Sequence, residues 1–584
     1  MKANKFFLGL ALIGAILTGC DNKEPEQTGN YDTTSYMSVS IAQVGGTRAT
    51  DGPGTSGGFI VGEASENQIT SVDFYFFDAN GNPFNFGTDV ENGANPGASF
   101  GTSNCYTYTP GATTDGTNGN NVGKIVNSTL VIKHNKGNIP TSMVAVINCT
   151  AGAYSGQTLA ALKTATLAEG AYITSNGHIM TNSVYRGADG KEAFETPISI
   201  ANLAINETNA LANPVTIYVE RVAARVKVVQ SNPVHSSYNT TIGAYDTGVD
   251  INIDNAGTVK DVYAKIAGWN IVTYANNGTL VKDVEFTGWN NAAVNGFNWN
   301  DPLNYRSYWA NAAKTATEVT KGFKWNQLTN TIGTTIDYCL ENTTTPVYNT
   351  DGFDELGQPT EDLDISRTNV TKVVVAAELV DDAGTKVEFI RWYGQDYSET
   401  GIKNAVAQLL RDKYKYQDAS EYKPIEGGDI EILTYNNVGT SLDDHQHYYQ
   451  VYFQLTTTGA AKSWYTPKSD LSGMDSVTTD AMNAALKGVG RADYYKGMSY
   501  YIVNIKHLGT KEKEGNVYQD GYYGVVRNHA YEIAIESISG LGTPVIDPDE
   551  EHEEPITPTD SESYVAAKIN ILAWHVVNQT VTLQ

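Results

Sequence analysis

Short segments in which apolar and polar side chains alternate recur along this chain, and they restrict its fold more than any other feature. Met37, Val39 and Ile41 alternate with small residues, and the same period returns at 215–229 and at 564–574. A period of two puts the apolar side chains on one face of a β-strand, whereas a helix needs a period of about 3.6. Glycine (55 residues) and tyrosine (36 residues) are abundant, which favours turns and strands. We therefore predict an all-β chain.

The segment 215–229 is unusually long for one strand, and it predicts where the chain divides. A strand that leaves one β-sandwich and enters the next would have this length and pattern. We place the boundary there, with an N-terminal sandwich at 49–222 and a C-terminal sandwich at 223–544. Further strands are predicted at 72–77, 130–132, 143–147, 262–273, 372–379, 387–393, 449–456, 500–505 and 531–535.

Two segments carry helical signals, and one long stretch reads as a loop. Residues 159–167 are rich in alanine and leucine. A second segment has apolar residues at the i, i+4, i+7 and i+8 positions of an amphipathic helix, namely Ile402, Val406, Leu409 and Leu410. Residues 86–121 are rich in glycine, asparagine and threonine, so we expect a long surface loop there.

The start of the chain reads as an export signal. A short basic stretch precedes an apolar run at 6–17, which is too short to span a membrane and fits a secretory signal. The run ends in Leu-Thr-Gly-Cys, which resembles the processing site of bacterial lipoproteins. Residues 1–20 are therefore the predicted signal peptide and Cys20 the predicted lipid site. The alternative is an ordinary signal peptide with a chance cysteine. The acidic stretch 21–26 resembles the export tag of Bacteroidetes surface lipoproteins.

The N-terminal end carries a single strand that has no hairpin partner near it in sequence. Met37, Val39 and Ile41 share its apolar face, and a Gly-rich loop that contains Arg48 and Ala49 follows. Such a loop is accessible to proteases. We therefore interpret residues 21–48 as a propeptide with a removable strand.

The C-terminal end carries a second single strand on a linker. Residues 545–562 combine proline with many acidic residues, which predicts an extended, self-repelling segment. The tail at 563–584 then alternates too regularly for a disordered segment. Its apolar face is formed by Val565, Ala567, Ile569, Ile571 and Ala573, and Trp574 follows.

Both single strands need the edge of a sheet, because a lone strand leaves its backbone groups unpaired. The most economical hypothesis uses one groove twice. The N-terminal strand fills a groove in its own domain until cleavage after Arg48 releases it, and the tail of another copy then enters by β-strand addition. Such head-to-tail insertion does not close on itself, so it yields a filament. The alternative is that the tail packs onto its own domain and the N-terminal strand stays in its sheet.

Charge and motifs argue against several other functions. The formal net charge of −26 repels phosphate backbones, so nucleic acid is a poor partner. The sequence has no phosphate loop, no Gly-x-Ser-x-Gly and no His-Glu-x-x-His motif, so we expect no enzyme, no cofactor and no metal. The histidines at 445 and 447 can be read as metal ligands, but a solvated loop is preferred. Cys105 and Cys149 can pair, although the odd number of cysteines beyond Cys20 argues against a disulfide framework.

Two groups of polar residues receive a structural interpretation. Arg527-Asn528-His529 precedes a predicted core strand with no nucleophile or carboxylate nearby in sequence. We expect Asn528 and His529 to satisfy backbone groups at a turn. Arg221 and Arg225 lie within a predicted strand and should therefore resist proteolysis.

Several motifs resemble the fimbrillins of Bacteroidales type V pili, and most of all the shaft subunit of the short, or minor, fimbriae. The most specific is Gly-Val-Val-Arg-Asn-His-Ala-Tyr at 524–531. The stretches 304–310, 338–343 and 500–508 and the tail sequence Ile-Leu-Ala-Trp at 571–574 are also similar. These motifs lie in the second domain and the tail, while the first domain matches only in pattern.

The resemblance implies two transthyretin-like β-sandwich domains with exchangeable strands at both ends. It implies a lipid-anchored precursor at the cell outer membrane, cleavage at Arg48–Ala49 by an arginine-specific protease, and removal of the strand at 37–44. The segment 564–584 would then be the donor in an extracellular fimbrium that supports adhesion and biofilm formation. The implied partners are further copies of this chain, in a head-to-tail homopolymer, and accessory anchor and tip subunits.

Three other functions stay open at this stage. The chain can be a monomeric surface lipoprotein that binds glycans or host proteins, or a tip or anchor subunit of a fimbria. A β-sandwich carbohydrase needs two carboxylates in a cleft, and acidic residues are plentiful. The patterned tail favours a shaft subunit, because a monomeric binder has no use for it and a tip subunit should lack it.

Overall fold

The computed structural model describes most of the chain between residues 34 and 579. The described ranges are 34–44, 62–85, 99–100, 104–110, 114–115, 122–133, 139–186, 192–204, 206–283, 319–320, 322–342, 371–434, 449–505, 513–514, 517–518, 524–552, 564–572, 575–576 and 578–579. Several predicted features lie outside these ranges: the signal peptide, Cys20, Arg48, Ala49, Ala573, Trp574, the motif at 304–310 and the histidines at 445 and 447.

Helices are short in the described part of the chain. The α-helices are α1 (Leu159–Lys163), α2 (Glu207–Ala212), α3 (Glu399–Leu410), α4 (Thr457–Ala460) and α5 (Thr479–Lys487). Single 3-10 turns occur at Ile200–Asn202, Ile253–Asn255, Trp325–Gln327 and Gly427–Asp429. None of the described helices has the length and apolar character needed to cross a membrane.

Ten of the described strands form the sheet of the first domain. Its hydrogen-bonded order is Ser99–Phe100, Cys105–Tyr108, Val72–Phe77, Ser142–Ile147, Met180–Asn182, Val215–Arg221, Thr34–Val44, Val122–Lys133 and Thr114–Asp115, with Thr196–Pro197 beside Ser142–Ile147. Strands from both ends of this order contribute to one apolar core, which includes Phe74, Tyr106, Leu130 and Ile217. The sheet therefore encloses its core in the manner of a sandwich.

Two consecutive strands on either side of Val222 belong to different sheets. Residues 215–221 belong to the first sheet, and Ala223–Gln230 continues directly into a second one. The order of that second sheet is Asp337–Leu340, Ala223–Gln230, His529–Ser539, Tyr564–Leu572 and Asn578–Gln579, with His575–Val576 beside His529–Ser539.

A third sheet packs against the second one. Its order is Tyr238–Asn239, Ala244–Ile251, Lys260–Val272, Lys372–Val380, Met498–Asn504 and Thr543–Pro544. Val226 and Ile533 of the second sheet share a core with Trp269 and Val375 of the third. The second domain is therefore a β-sandwich, and the predicted all-β fold class is confirmed.

Residues 389–495, here called the inserted unit, form a further packed body that the sequence analysis does not foresee. One sheet has the order Gln395–Tyr397, Phe389–Trp392, Ala492–Tyr495, Gln450–Leu455 and Ile430–Thr434. A second has the order Glu421–Pro424, Lys415–Asp418, Trp464–Pro467 and Met474–Val477. Both surround a core of their own with α3 and α5.

Short strand pairs complete the described fold. They are Ile173–Thr174 with Gly177–His178, Tyr185–Arg186 with Glu192–Ala193, Thr166–Ala168 with Asn277–Thr279, Tyr274–Ala275 with Val319–Thr320, Phe323–Lys324 with Glu551–His552, and Lys513–Glu514 with Val517–Tyr518. The pair that includes Thr166–Ala168 joins the first domain to the second.

Three local predictions are wrong. The expected loop at 86–121 contains the strand Cys105–Tyr108, because Tyr106 and Tyr108 pack in the core although their surroundings are rich in turn residues. Helix α1 ends at Lys163 rather than 167, because Thr166–Ala168 pairs with a strand of the second domain. Leu409 is 60% exposed, because α3 buries the face that carries Ile402, Val406, Ala407 and Leu410.

Candidate functional site

The strand nearest the start of the described chain occupies an internal position in the first sheet. This first strand, Thr34–Val44, runs antiparallel to Val122–Lys133 on one side and parallel to Val215–Arg221 on the other. We call these two neighbours the flanking strands and the space between them the strand groove. Without the first strand, the flanking strands would expose unpaired backbone groups on both sides of the groove.

The first strand also fills part of the apolar core. Met37 and Val39 have no exposed surface and belong to the core of the first domain. Burial of such a side chain stabilises a fold by roughly 1.5–3 kcal/mol. In register, Met37 lies opposite Leu130, and Val39 lies opposite Ser128 on one side and Val215 on the other. Ile41, the third predicted residue, is paired in the same strand with Val126 and Ile217.

Ser38 is a residue of the first strand that sequence analysis missed. Because Met37 and Val39 point into the core, Ser38 points to the opposite face of the sheet. It is nevertheless only 3% exposed. Helix α2 lies beside this strand, and its Ala210 is buried. The groove is therefore closed around position 38 on both faces of the sheet.

The flanking strand Val215–Arg221 is anchored at its end by a buried polar cluster. Arg221 donates hydrogen bonds from Nε to the backbone oxygen of Glu66 and from Nη1 to Oδ1 of Asn528, both at 2.9 Å. Burial lowers the pKa of Arg221 to about 10. Glu66 also forms an ion pair with Arg225 at 2.9 Å and accepts a 2.6 Å hydrogen bond from the hydroxyl of Tyr338. Arg221 and Arg225 are both buried, in keeping with their expected resistance to proteolysis.

The Arg527-Asn528-His529 cluster has the structural role that the sequence predicts. Asn528 has a left-handed backbone (φ 56°), and its N–H donates to the carbonyl of Ala223 at 2.8 Å. Nδ1 of His529 lies 2.7 Å from the carbonyl oxygen of Arg527. Arg527 has no exposed surface, and its Nε donates to Oε1 of Glu341 at 2.7 Å. These groups hold the turn that precedes the strand His529–Ser539.

The tail lies on its own second domain. The tail strand, Tyr564–Leu572, runs antiparallel to His529–Ser539, which we call the host strand. The pairing extends from Tyr564 opposite Ser539 to Leu572 opposite Ala530. Within it, the predicted donor residues each oppose an apolar residue of the host strand: Val565 opposes Ile538, Ala567 opposes Ile535, Ile569 opposes Ile533, and Ile571 opposes Tyr531. This is the arrangement that the sequence analysis kept as an alternative for the tail.

The first part of the predicted linker at 545–562 packs against the second domain. Val545 has no exposed surface, and its N–H donates to the carbonyl of Met498 at 2.9 Å. Glu551–His552 pairs with Phe323–Lys324, and the buried His552 ring lies 5.8 Å from that of Phe323. Burial lowers the pKa of His552 to about 4. An extended segment can therefore begin only after His552, because Val545 and His552 fill apolar sites.

Other candidate sites do not assemble in the described part of the chain. Cys105, Cys149 and Cys339 are free thiols, so Cys105 and Cys149 do not pair. Burial raises the pKa of Cys105 to about 12, which keeps it protonated. No group of three or more histidine, cysteine, aspartate or glutamate side chains able to hold a metal ion occurs among the described residues.

Among the solved structures that are similar to this chain, two of distant sequence are described here. One, proposed to be a cell adhesion protein from Parabacteroides distasonis, has 11% identity and a TM-score of 0.31, with 94% of this chain and 98% of that chain covered. The other is a fimbrial assembly protein from the same organism, with 13% identity and a TM-score of 0.26; 62% of this chain and 91% of that chain are covered. No protein with a curated description matches the chain.

Comparison with protein families gives a match at the C-terminal end. Residues 492–580 match the family described as major fimbrial subunit protein type IV, fimbrillin, C-terminal. The matched segment contains the host strand, the tail strand and the Arg527-Asn528-His529 turn. This match agrees with the resemblance to the fimbrillins, and it covers 89 of the 584 residues of the chain.

Proposed function

We propose that this chain is the shaft subunit of a fimbria and that it polymerises by exchanging its first strand for the tail strand of another copy. The observation that carries the proposal is the internal position of the first strand. Its neighbours in the sheet come from 122–133 and 215–221, so the rest of the first domain can keep its chain path when the first strand leaves.

The first strand is the segment that a single cleavage can separate from the domain. It lies between the predicted lipid site at Cys20 and the predicted cleavage site at Arg48–Ala49. In the proposal, the precursor is exported to the outer membrane on its lipid, and an arginine-specific protease cuts after Arg48. Removal of Met37 and Val39 then opens apolar space in the core and two rows of backbone hydrogen-bonding groups.

The tail strand has the properties that the open groove requires. It already forms an antiparallel β-ladder, here with the host strand, and its sequence provides one apolar face. The segment 553–563 before it supplies reach. Entry of this strand into the groove of another copy buries apolar side chains and restores the ladders, at the expense of the pairing with the host strand.

The proposal includes a surface location and several partners. Repeated insertion gives a head-to-tail homopolymer that extends from the cell, with accessory anchor and tip subunits at its ends. Such a filament would support adhesion and biofilm formation. The arrangement of the tail on its own domain favours a second function, a monomeric surface lipoprotein that binds glycans or host proteins, since a closed tail needs no other copy.

A gel separates these two functions. Purified residues 21–584 are treated with a trace of arginine-specific protease and run unboiled on a denaturing gel. Two matched controls are the same chain lacking 564–584 and an Arg48→Ala variant. A ladder of oligomers that requires cleavage, Arg48 and the tail supports the shaft function. Cleavage after Arg48 without a ladder contradicts it and favours the monomeric binder.

A further inference from the structure

We infer that Ala566 sets the register in which the tail strand enters the strand groove, because it is the tail residue that fits the position of Ser38. The inference rests on the proposed strand exchange and specifies it. It makes Ala566 a specificity-determining residue, although Ala566 lies on the face of the tail opposite to the apolar donor residues.

The groove restricts position 38 more than an edge position of a sheet would. Ser38 points away from the core that holds Met37 and Val39, yet it is only 3% exposed. Protein interiors are close-packed, so a position that buries a serine completely does not accept a much larger side chain without rearrangement. The incoming strand must therefore place a small residue there.

The tail strand, Tyr564–Leu572, offers one small residue on that face. Since Val565, Ala567, Ile569 and Ile571 alternate along one face, the other face carries Tyr564, Ala566, Lys568, Asn570 and Leu572. Burial of the Lys568 ammonium or the Asn570 amide at position 38 would leave polar groups without water. Tyr564 and Leu572 are much larger than serine. Ala566 is the match.

This placement also puts apolar residues on the side of the groove that faces the core. With Ala566 at position 38, the residues at positions 37, 39 and 41 become Val565, Ala567 and Ile569. A shift by one residue would turn Lys568 and Asn570 toward the core, and a shift by two would bring Lys568 to position 38. A shift that brings Leu572 to position 38 would turn His575 toward the core. The remaining registers are thus disfavoured on one face or the other.

The register predicts which residues of two copies meet. Val39 lies opposite Ser128, so Ala567 of the entering tail should lie opposite Ser128 of the receiving copy. Directly opposite residues of an antiparallel pair have Cβ atoms about 5 Å apart, which a disulfide can bridge. Residues 565 and 569 would lie opposite Leu130 and Val126 instead.

Cysteine cross-linking tests the register. Three variants of the full chain 21–584 combine Ser128→Cys with a cysteine at position 565, 567 or 569, in a Cys149→Ser background, and each is cleaved, polymerised and oxidised. The uncleaved Val39→Cys, Ser128→Cys variant controls for geometry, because its disulfide should form within one copy. We expect Ala567→Cys to form at least tenfold more cross-links between copies than either neighbour.

The outcomes are separable. Dominant cross-linking through residue 565 or 569 overturns the register and leaves strand exchange standing. Absence of any ladder in the chain without introduced cysteines overturns the proposed function and the register together.

The rate of polymerisation in a second pair of variants tests the role of Ala566 independently. Ala566→Ser should keep the ladder, and Ala566→Leu should slow its growth about tenfold or more, since leucine overpacks position 38. Equal rates for these two variants would contradict the role of Ala566.

Discussion

The guanidinium of Arg221 donates a 2.9 Å hydrogen bond to the side-chain oxygen of Asn528, a residue 307 positions later in the chain. Arg221 ends one flanking strand of the groove, and Asn528 immediately precedes the host strand of the tail. The bond therefore joins a flanking strand of the groove to the turn before the host strand, which holds the tail of the same copy.

Substitution of Asn528 should destabilise the chain without a change of fold. Asn528→Ala removes the acceptor for buried Arg221 and puts alanine at φ 56°, which asparagine tolerates better. We expect the free energy of unfolding to fall by about 1–3 kcal/mol, as for other unsatisfied buried groups. Urea unfolding measures this change, with Gln408→Ala on the exposed side of α3 as control. An unchanged unfolding midpoint would contradict the anchoring role of Asn528.

The buried pair of Arg527 and Glu341 should behave as a unit. Arg527→Met leaves the Glu341 carboxylate buried without its ion partner, and removal of one partner of a buried pair typically destabilises by about 3–5 kcal/mol. The double variant Arg527→Met, Glu341→Leu should recover part of this loss, because no unpaired charge remains. A double-mutant cycle from urea unfolding checks the coupling. Purely additive effects would argue against a direct interaction.

Truncation within the first strand should weaken the precursor. Met37→Ala deletes a side chain without exposed surface, for which a loss of about 2–5 kcal/mol is typical. Thermal unfolding of uncleaved 21–584 measures the loss, and Thr216→Ala at an exposed position of a flanking strand is the control. If Met37→Ala unfolds like the control, the first strand does not contribute to the core of the precursor.

The buried His552 should make stability depend on pH. Burial lowers its pKa from an ordinary value of 6.5 to about 4, so between these values the unfolded chain binds a proton that the folded chain does not. Stability therefore falls as the pH falls from about 6.5 to about 4. His552→Phe should reduce the difference between the unfolding free energies at pH 7.5 and pH 5, whereas Gln408→Ala at an exposed position should leave it unchanged. An equal pH dependence in both variants would contradict the burial effect.

Local patterns explain which parts of this structure could be predicted. Alternation predicted strands where Thr34–Val44 and Tyr564–Leu572 form, and the long β pattern at 215–229 forms the two consecutive strands Val215–Arg221 and Ala223–Gln230. The turn function of Asn528 followed from its place before a core strand. In each case the information lies within a few neighbouring residues.

The remaining features depend on contacts between distant segments. The burial of Ser38 comes from packing on both faces of the sheet. The residues next to Ser38 in sequence do not indicate this packing. The strand Cys105–Tyr108 is stabilised by pairing with Val72–Phe77 across a stretch of turn residues. The acidic residues near 550 suggested a free linker, but the side chains of Val545 and His552 are buried against the second domain. The inserted unit was missed because its strands have the same pattern as those around them.

The most direct measurement of the central claim locks the first strand in its groove. In the oxidised Val39→Cys, Ser128→Cys variant, a disulfide holds the first strand between the flanking strands even after cleavage at Arg48. The account predicts no ladder on an unboiled denaturing gel until the disulfide is reduced, and a ladder afterwards. A ladder that grows while the disulfide is intact would contradict the exchange of the first strand for the tail strand.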